Sequence, residues 1–247
     1  MTTEHIKVDI RKTLKSDKRE FMLDVHFASS SDSLVIFGPS GAGKSLTLQA
    51  IAGLLTPDSG RIELSGATLY DSSRKLNLAP QARKVGFLFQ NYALFPHLNV
   101  QQNVGFGLHG GWRNPGRHQQ DERVAHWLKM FELEAVAGQY PHQLSGGQQQ
   151  RTALARALAS DPRALLLDEP FAALDSGLRN RMRHELMELR SRLKIPLIMI
   201  THDSEDVRLF GDEVLEIRDG RIKDDQIDEQ MDAQIDEQPD SQDVRSA

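Results

Sequence analysis

A glycine-rich segment, residues 38–45, constrains the fold of this 247-residue chain more than any other feature. Its pattern is Gly, four residues, Gly, Lys and Ser, which is typical of a phosphate-binding loop. The apolar residues 34–37 before it predict a buried strand, and residues 46–51 after it predict a helix. In such a strand, loop and helix, backbone N–H groups and the helix dipole face a phosphate. The candidate phosphate ligands are Gly38, Pro39, Ser40, Gly41, Ala42, Gly43, Lys44 and Ser45.

A pair of carboxylates, Asp168 and Glu169, ends a second apolar run, residues 165–167. Such a run predicts a buried parallel strand that delivers its last side chains to the edge of the sheet where ligands bind. We expect Lys44 to reach the β- and γ-phosphates, and Ser45 and Asp168 to hold Mg²⁺. Glu169 is the expected general base for an attacking water. An acidic pair alone more often starts a solvated loop, but the phosphate loop upstream reverses that preference.

A third motif, Leu-Ser-Gly-Gly-Gln at residues 144–148, precedes a strongly helical stretch, residues 149–159. Ser145 predicts a helix N-cap, and a glycine-rich helix start suits an anion. A plain capped helix is the alternative. Because residues 38–45 already provide a triphosphate site, a second anion site indicates a γ-phosphate that another copy of the chain supplies.

In this order, the motifs resemble those of the ATP-binding subunits of ABC transporters, from about Ile6 to about Lys223. The resemblance implies an α/β fold with a P-loop NTPase (RecA-like) core, an antiparallel β subdomain and an α-helical signature subdomain. The implied ATPase domain is residues 1–223, with the helical subdomain at about 91–145. Residues 224–247 form an acidic tail that we expect to be disordered. ATP and Mg²⁺ are the implied cofactors.

The resemblance also assigns roles to single residues. Gln90 matches the glutamine that contacts Mg²⁺ and water, and His202 matches the switch histidine on the γ-phosphate. A lone histidine after a strand is more often structural, but His202 follows what the sequence marks as the last core strand. The expected catalytic residues are Glu169, His202 and Gln90, and the expected Mg²⁺ ligands are Ser45, Gln90 and Asp168. The residues expected to act in trans are Ser145, Gly146, Gly147, Gln148 and Asp175.

The aromatic residue that stacks on adenine in this family is missing. The aligned residues 12–15 offer only Leu14. Phe21 is a possible substitute, and the alternative is that it packs in the core with Leu23 and Val25. Loose purine selectivity is therefore an expectation.

Composition restricts the compartment and the partners. The chain has no cysteine, which excludes disulfides, thiolate zinc sites and iron–sulfur clusters. No apolar run approaches the ~18 residues of a membrane span, and the first residues do not read as a signal peptide. We therefore expect a peripheral protein on the cytoplasmic face of the plasma (inner) membrane. The chain has a net charge of −5, and residues 224–247 hold nine acidic residues and one arginine. The rest of the chain therefore carries a net charge of only +3, which does not indicate nucleic-acid binding.

Local patterns place the remaining elements. Residues 6–34 predict short strands broken by a charged turn at 15–20, and residues 61–64 and 85–89 predict strands that complete the first lobe. Residues 123–131 predict an amphipathic helix, and residues 107–116 a Gly/Pro-rich loop. Residues 92–98 predict an apolar groove edge for a membrane partner, or alternatively part of the domain core.

The implied partners are a second copy of the chain in a homodimer, transmembrane permease subunits and, indirectly, a solute-binding protein. Residues 61–66, 77–86 and 94–97 look most like molybdate importer ATPases, with sulfate importers next. Many sugar and molybdate importer ATPases continue into a regulatory β-domain, and we expect this chain to lack one. The alternatives are an importer ATPase for sulfate, sugar, polyamine or iron, an exporter half, a non-transport ABC ATPase, or a small-molecule P-loop kinase. A small-molecule P-loop kinase would not require the motif at residues 144–148.

Overall fold

Strands and helices both occur in the parts of the chain that the computed structural model describes, residues 5–16, 19–108, 121–172, 174–193 and 195–223. The strands are β1 (Ile6–Ser16), β2 (Arg19–Ser29), β3 (Ser33–Phe37), β4 (Ser59–Leu64), β5 (Ala67–Asp71), β6 (Leu76–Asn77), β7 (Val85–Leu88), β8 (Ala164–Asp168), β9 (Leu197–Thr201), β10 (Glu213–Arg218) and β11 (Arg221–Ile222). The helices are α1 (Lys44–Ala52), α2 (Pro80–Arg83), α3 (Val100–Gly105), α4 (Glu122–Met130), α5 (Gly146–Ala159), α6 (Ser176–Leu193) and α7 (Ser204–Phe210). None of the described helices is long and apolar enough to cross a membrane.

One sheet joins all of these strands in the order β6-β5-β4-β1-β2-β11-β10-β3-β9-β8-β7. The last five strands of this order are parallel to one another. Strands β1, β2, β4, β5 and β6 pair in antiparallel fashion. The sheet therefore combines a parallel half with an antiparallel half, as the sequence predicts.

The parallel half is buried on both faces. In β3, Val35 packs in one hydrophobic cluster, whereas Leu34 and Ile36 pack in the other. The same alternation runs through β8 and β9, because successive side chains of a strand point to opposite faces. One cluster contains the apolar side of α1, and the other contains those of α5 and α6. Continuous apolar strands are therefore required here.

Three predictions about strands are wrong. Residues 6–29 form two strands of 11 residues rather than several short ones, because β1 and β2 pair along their whole length. Strand β7 does not complete the first lobe, since it pairs in parallel with β8. Strand β9 is not the last core strand, because β10 follows it and pairs in parallel with β3.

The regular elements in the described part of residues 91–145 are all helical. It holds α3, α4 and three 3₁₀ helices (Phe106–Leu108, Glu134–Val136 and Pro141–Gln143), and α3 and α4 pack with α5 in one hydrophobic cluster. The subdomain limits of 91 and 145 stay a prediction. Residues 17–18 of the predicted turn, residues 109–120 around the predicted Gly/Pro-rich loop, Ala173 and the predicted tail, residues 224–247, lie outside the described residues.

A buried arginine fixes the C-terminal end of α1, the helix that follows the phosphate loop. Arg83 donates from Nη1 to the carbonyl oxygens of Ala50 (2.6 Å) and Ile51 (2.8 Å). It also donates from Nε to Leu78 O (2.9 Å) and from Nη2 to Asn77 Oδ1 (2.7 Å). The last carbonyl groups of a helix have no intrahelical partner and carry partial negative charge, so a cation is favourable there.

We predict that Arg83→Met lowers the free energy of unfolding by about 3 kcal/mol, because several buried carbonyl oxygens lose a charged donor. Urea denaturation with a constant slope would measure it. Arg74→Met is the matched control, since the Arg74 side chain is exposed and its Nε lies 3.7 Å from Asp71; it should cost less than about 0.5 kcal/mol. Equal effects of the two substitutions would contradict the structural role of Arg83.

Candidate functional site

Four adjacent parallel strands bring the predicted site residues to one edge of the sheet. In the order β3, β9, β8 and β7, each strand is followed at its C-terminal end by a functional segment. These segments are the phosphate loop at residues 38–45, His202, the Asp168-Glu169 pair and Gln90. Ligands of open α/β sheets bind at this edge, so residues up to 164 positions apart in sequence form one site.

The phosphate loop encloses the side chain of Lys44. Its Nζ donates to the carbonyl oxygens of Gly38 (2.6 Å) and Pro39 (2.9 Å). Burial lowers the pKa of Lys44, and the nearby negative charges of Glu169 and Asp168 act in the opposite direction. A cavity of about 230 Å³ is lined by residues 40–46, Gln90 and Glu169. The loop and the predicted catalytic carboxylate therefore share one cavity.

Asp168, at the end of the buried strand β8, faces the first turn of α1. The Ser45 hydroxyl donates to Asp168 Oδ1 at 2.9 Å. Burial raises the pKa of Asp168, and the hydrogen bond from Ser45 reduces that effect. The two residues predicted to share a Mg²⁺ ion thus lie in direct contact.

Glu169 is the point on which the other predicted catalytic groups converge. Its Oε1 lies 3.2 Å from Nδ1 of His202 and 4.0 Å from Nζ of Lys44, and its Oε2 accepts from Nε2 of Gln90 at 3.4 Å. The backbone of Glu169 is left-handed, with φ at 46°. Its N–H donates to Ile200 O of β9 at 3.0 Å, which anchors this strained residue to the sheet.

The residues predicted to act in trans stand apart from this cavity. The described lining of the cavity includes none of residues 145–148. Ser145 caps α5, as the sequence predicts, and it also forms a reciprocal capping box with Gln148. Gly147 lies against α6, where an added Cβ would come within 3.1 Å of Leu178. Asp175 is exposed and caps α6 by accepting from the Leu178 N–H at 3.0 Å.

The sequence analysis missed a charged network that holds the segment around His202. Nε of Arg183, a buried residue of α6, lies 2.6 Å from Asp206 Oδ1, and its Nη2 lies 2.7 Å from Asp203 Oδ2. Arg179, one turn earlier on α6, lies 3.4 Å from the same Asp203. Two arginines four residues apart are the only local signal, and this spacing is common on exposed helices.

The segment predicted as a groove edge divides between core and surface. Tyr92 and Leu98 are buried, which fits the core alternative. Phe95 packs on Phe106 with ring centroids 4.3 Å apart, and Phe106 remains 38% exposed. His97 is exposed beside Phe95. An aromatic surface therefore exists here, formed by Phe95 and Phe106.

The two candidates for adenine contact are neighbours, because Leu14 pairs with Phe21 across β1 and β2. The ring of Phe21 rests on the phosphate loop, where Cζ lies 3.1 Å from the position of a Cβ on Gly43. It also packs against the core cluster that contains Leu23 and Val25. Phe21 thus supports the loop from the antiparallel half of the sheet.

Comparison with known proteins identifies the family to which this geometry belongs. The family model described as "ABC transporter" matches residues 24–172. The chain belongs to the ABC transporter family. It is one of the ATPases of this family, and the predicted fold is confirmed by solved ATP-binding cassettes. A dimeric cassette in a post-hydrolysis state with ADP and Pi superposes with a TM-score of 0.72 at 33% identity, over 88% of this chain and 96% of the other.

Three curated relatives of this ABC ATPase are import proteins. A "Probable sulfate/thiosulfate import ATP-binding protein" of Chlorella vulgaris is 45% identical over 80% of this chain and 81% of its own length. An Fe(3+) ions import ATP-binding protein of Pseudomonas fluorescens is 48% identical over 76% of this chain. A spermidine/putrescine import ATP-binding protein of Nitratidesulfovibrio vulgaris is 45% identical over 78% of it. The chain spans about half the length of the last two, 51% and 50%.

We predict that Asp168→Asn raises the melting temperature of the nucleotide-free protein by about 2–4 °C. The folded state raises the pKa of Asp168, so the ionised carboxylate destabilises the fold, and the neutral amide removes that cost. The gain should be largest at alkaline pH and shrink as the pH falls and the carboxyl group of the parent protein gains its proton. Differential scanning calorimetry at several pH values measures both effects.

Asp219→Asn is the control for this experiment. Asp219 is an exposed turn residue with φ at 48°, a conformation that asparagine also tolerates. Its melting temperature should match that of the parent at every pH. A lower melting temperature for Asp168→Asn above neutral pH would contradict the inferred cost of the buried charge.

Proposed function

We propose that this chain is the ATP-hydrolysing subunit of an ABC importer and acts at the cytoplasmic face of the plasma (inner) membrane. The observation that carries the proposal is the convergence of Lys44, Gln90 and His202 on the carboxylate of Glu169, beside a phosphate loop. The names of the related import ATP-binding proteins support the direction of transport.

Glu169 is the proposed general base. Water attacks the γ-phosphorus, the bond to the β,γ-bridging oxygen breaks, and Glu169 accepts the proton that the water loses. Lys44 stabilises the charge of the β- and γ-phosphates, and the amide of Gln90 orients the water. His202, whose Nδ1 already contacts Glu169, faces the γ-phosphate. ADP and inorganic phosphate are the products.

Mg²⁺ fits the oxygen donors that the site offers. The hydroxyl of Ser45 and the carboxylate of Asp168 are in contact at 2.9 Å, and Gln90 lines the same cavity as Ser45. Hydroxyl, carboxylate and amide oxygens are hard ligands of the kind that Mg²⁺ prefers. The ion would neutralise phosphate charge, and Ser45, Asp168 and Gln90 would hold it.

A homodimer is the proposed working form. Ser145, Gly147 and Asp175 lie outside the phosphate cavity of their own chain, at capped helix ends that suit an anion. A related cassette forms dimers. We propose that Ser145, Gly146, Gly147, Gln148 and Asp175 of one copy close over the ATP that the phosphate loop of the other copy holds.

Transmembrane permease subunits are the proposed partners, and a solute-binding protein acts through them. The aromatic surface of Phe95 and Phe106 is the proposed docking site, since Phe106, seven positions after the α3 N-cap Asn99, is an exposed large apolar residue. This surface begins five residues after Gln90. Movement of a docked permease helix therefore reaches the hydrolytic site through a short segment.

For the cargo, we propose an inorganic oxyanion. Molybdate was the prediction from sequence, but the relatives above carry the names of sulfate/thiosulfate, Fe(3+) and spermidine/putrescine importers. We therefore place sulfate and thiosulfate ahead of molybdate. This chain does not contact the cargo, since the permease and the solute-binding protein select it.

We predict that Glu169→Gln lowers kcat for ATP hydrolysis at least about 100-fold and leaves ATP affinity within about threefold, because the amide keeps the shape but cannot accept the proton. The assay uses the chain reconstituted in vesicles with the permease and binding protein encoded beside it. Sulfate, thiosulfate, molybdate, tungstate, Fe(3+) and spermidine are offered in turn.

Glu188→Gln is the control, because Glu188 is an exposed residue of α6 and its substitution should not change the rate. Stimulation by an oxyanion that disappears in Glu169→Gln would support both the importer and its cargo. Stimulation by spermidine or Fe(3+) alone would overturn the oxyanion. Parental turnover in Glu169→Gln would overturn the role of the base.

A mixing experiment tests the shared sites. Lys44→Ala and Ser145→Asp should each be inactive alone, but an equimolar mixture should recover about a quarter of the parental activity, since half of the dimers then have one intact composite site. Aspartate caps a helix as well as serine does, so α5 is preserved while a carboxylate repels the phosphate.

Ser145→Asn is the matched control, because asparagine also caps a helix but carries no charge. It should retain most of the parental activity. If the mixture recovers nothing while Ser145→Asn remains active, the site is not shared between copies.

A further inference from the structure

The chain adopts an unusual turn directly after Gln90. Tyr92 and Ala93 are consecutive non-glycine residues in the left-handed region, with φ at 61° and 44°. This conformation costs roughly 1–2 kcal/mol per residue. Such strain persists only where neighbouring groups fix it, and it concentrates at functional sites.

Arg156, in the second half of α5, holds this turn. Its Nη2 donates to Tyr92 O and its Nη1 donates to Ala93 O, both at 2.7 Å. The guanidinium carbon lies 5.4 Å from the centroid of the Phe95 ring, within cation–π distance. Burial of the guanidinium lowers the pKa of Arg156 to about 10. These partners are two carbonyl oxygens and an aromatic ring, so the guanidinium group stabilises the loop rather than a carboxylate.

Asn103 of α3 fixes the other end of the same segment. Its Oδ1 accepts from the Phe95 N–H at 2.9 Å, and its Nδ2 donates to Leu98 O at 2.9 Å. Asn103 is fully buried. The loop from Tyr92 to Leu98 is therefore fixed at both ends by side chains from separate helices, and only the end at Tyr92 adjoins the catalytic glutamine.

The position of Gln90 depends on this anchoring. Its Nε2 lies 3.4 Å from Glu169 Oε2, which is at the long end of the range for a hydrogen bond. A small displacement of the loop therefore makes or breaks the contact. Gln90 is only two residues before Tyr92, so a change in the turn moves Gln90 directly.

We propose that Arg156 is a positioning residue for ATP hydrolysis, because it holds the carbonyl groups of Tyr92 and Ala93 and thereby sets the distance between Gln90 and Glu169. The inference rests on the proposed roles of Gln90 and Glu169. Arg156 acts only through Gln90, so its removal should matter only while the Gln90 side chain is present.

A double-mutant cycle of Arg156→Gln and Gln90→Ala, with ATPase kinetics of the purified full chain, tests this. Arg156→Gln should lower kcat about tenfold and change KM for ATP less than about twofold, because Lys44 and the phosphate loop are untouched. In the Gln90→Ala background, Arg156→Gln should lower kcat further by less than about twofold. Arg156→Lys, which keeps the charge with a single donor group, should give an intermediate kcat.

Arg151→Gln is the matched control on the same helix. Arg151 binds Glu185 of α6, with Nε 2.8 Å from Oε2, and has no described contact with the turn. Its effect should be the same with and without the Gln90 side chain. An Arg156→Gln effect that is equally independent of Gln90, or an unchanged kcat in Arg156→Gln, would overturn the proposal.

A rescue variant tests the turn itself. Glycine adopts positive φ without a steric penalty, so Ala93→Gly should restore part of the kcat that Arg156→Gln loses. Absence of any restoration would contradict the holding role. A parent chain without ATPase activity would instead contradict the proposed function, so the two failures are distinguishable.

Discussion

The buried charges at the carboxyl ends of β3 and β8 set the requirements for the rest of the structure. The ammonium group of Lys44 lies among carbonyl oxygens, 4.0 Å from Glu169, while burial raises the pKa of Asp168. Burial thus favours the neutral form of both the cation and the acid, and their mutual attraction opposes it. Charges of this kind are stable only where hydrogen bonds and opposite charges are held rigidly in place. The parallel sheet provides that rigidity.

Residues with a strained backbone lie beside these charges. Glu169 follows β8 and the pair Tyr92 and Ala93 follows β7, and all three have positive φ. Each is anchored from a different element, Glu169 by β9 and the pair by Arg156 of α5. Since left-handed non-glycine residues are unfavourable alone, the neighbouring strand and helix must determine these conformations. Strain marks two points at which the backbone turns sharply to present a side chain with a proposed catalytic role.

Short-range patterns in the sequence predicted the parts of the site that are local. The phosphate loop, the buried strand that ends at Asp168 and the Ser145 cap each depend on residues within a few positions. Strand β10 was missed as a core strand because it pairs with β3, nearly 180 residues earlier, and no local pattern records that partner. The prediction for β7 was wrong for the same reason, since the edge position of β7 depends on its pairing with β8. The roles of Arg83 and Arg156 could not be found from sequence, because each binds backbone carbonyl groups that lie far away along the chain, 32 residues away for Ile51 and 64 residues away for Tyr92.

Helix α5 connects the two surfaces that the proposed function requires. Its cap, Ser145, is the proposed contact with a second copy, and Arg156, eleven residues later, holds the turn between Gln90 and the aromatic surface. At 1.5 Å per residue, these two points are about 16 Å apart along one helix. An α-helix transmits displacement along its axis with little deformation, because its hydrogen bonds run in that direction. A permease that shifts Phe95 would therefore move the loop of Gln90 and the cap of α5 together. The coupling between transport and hydrolysis would then need no separate signal within the domain.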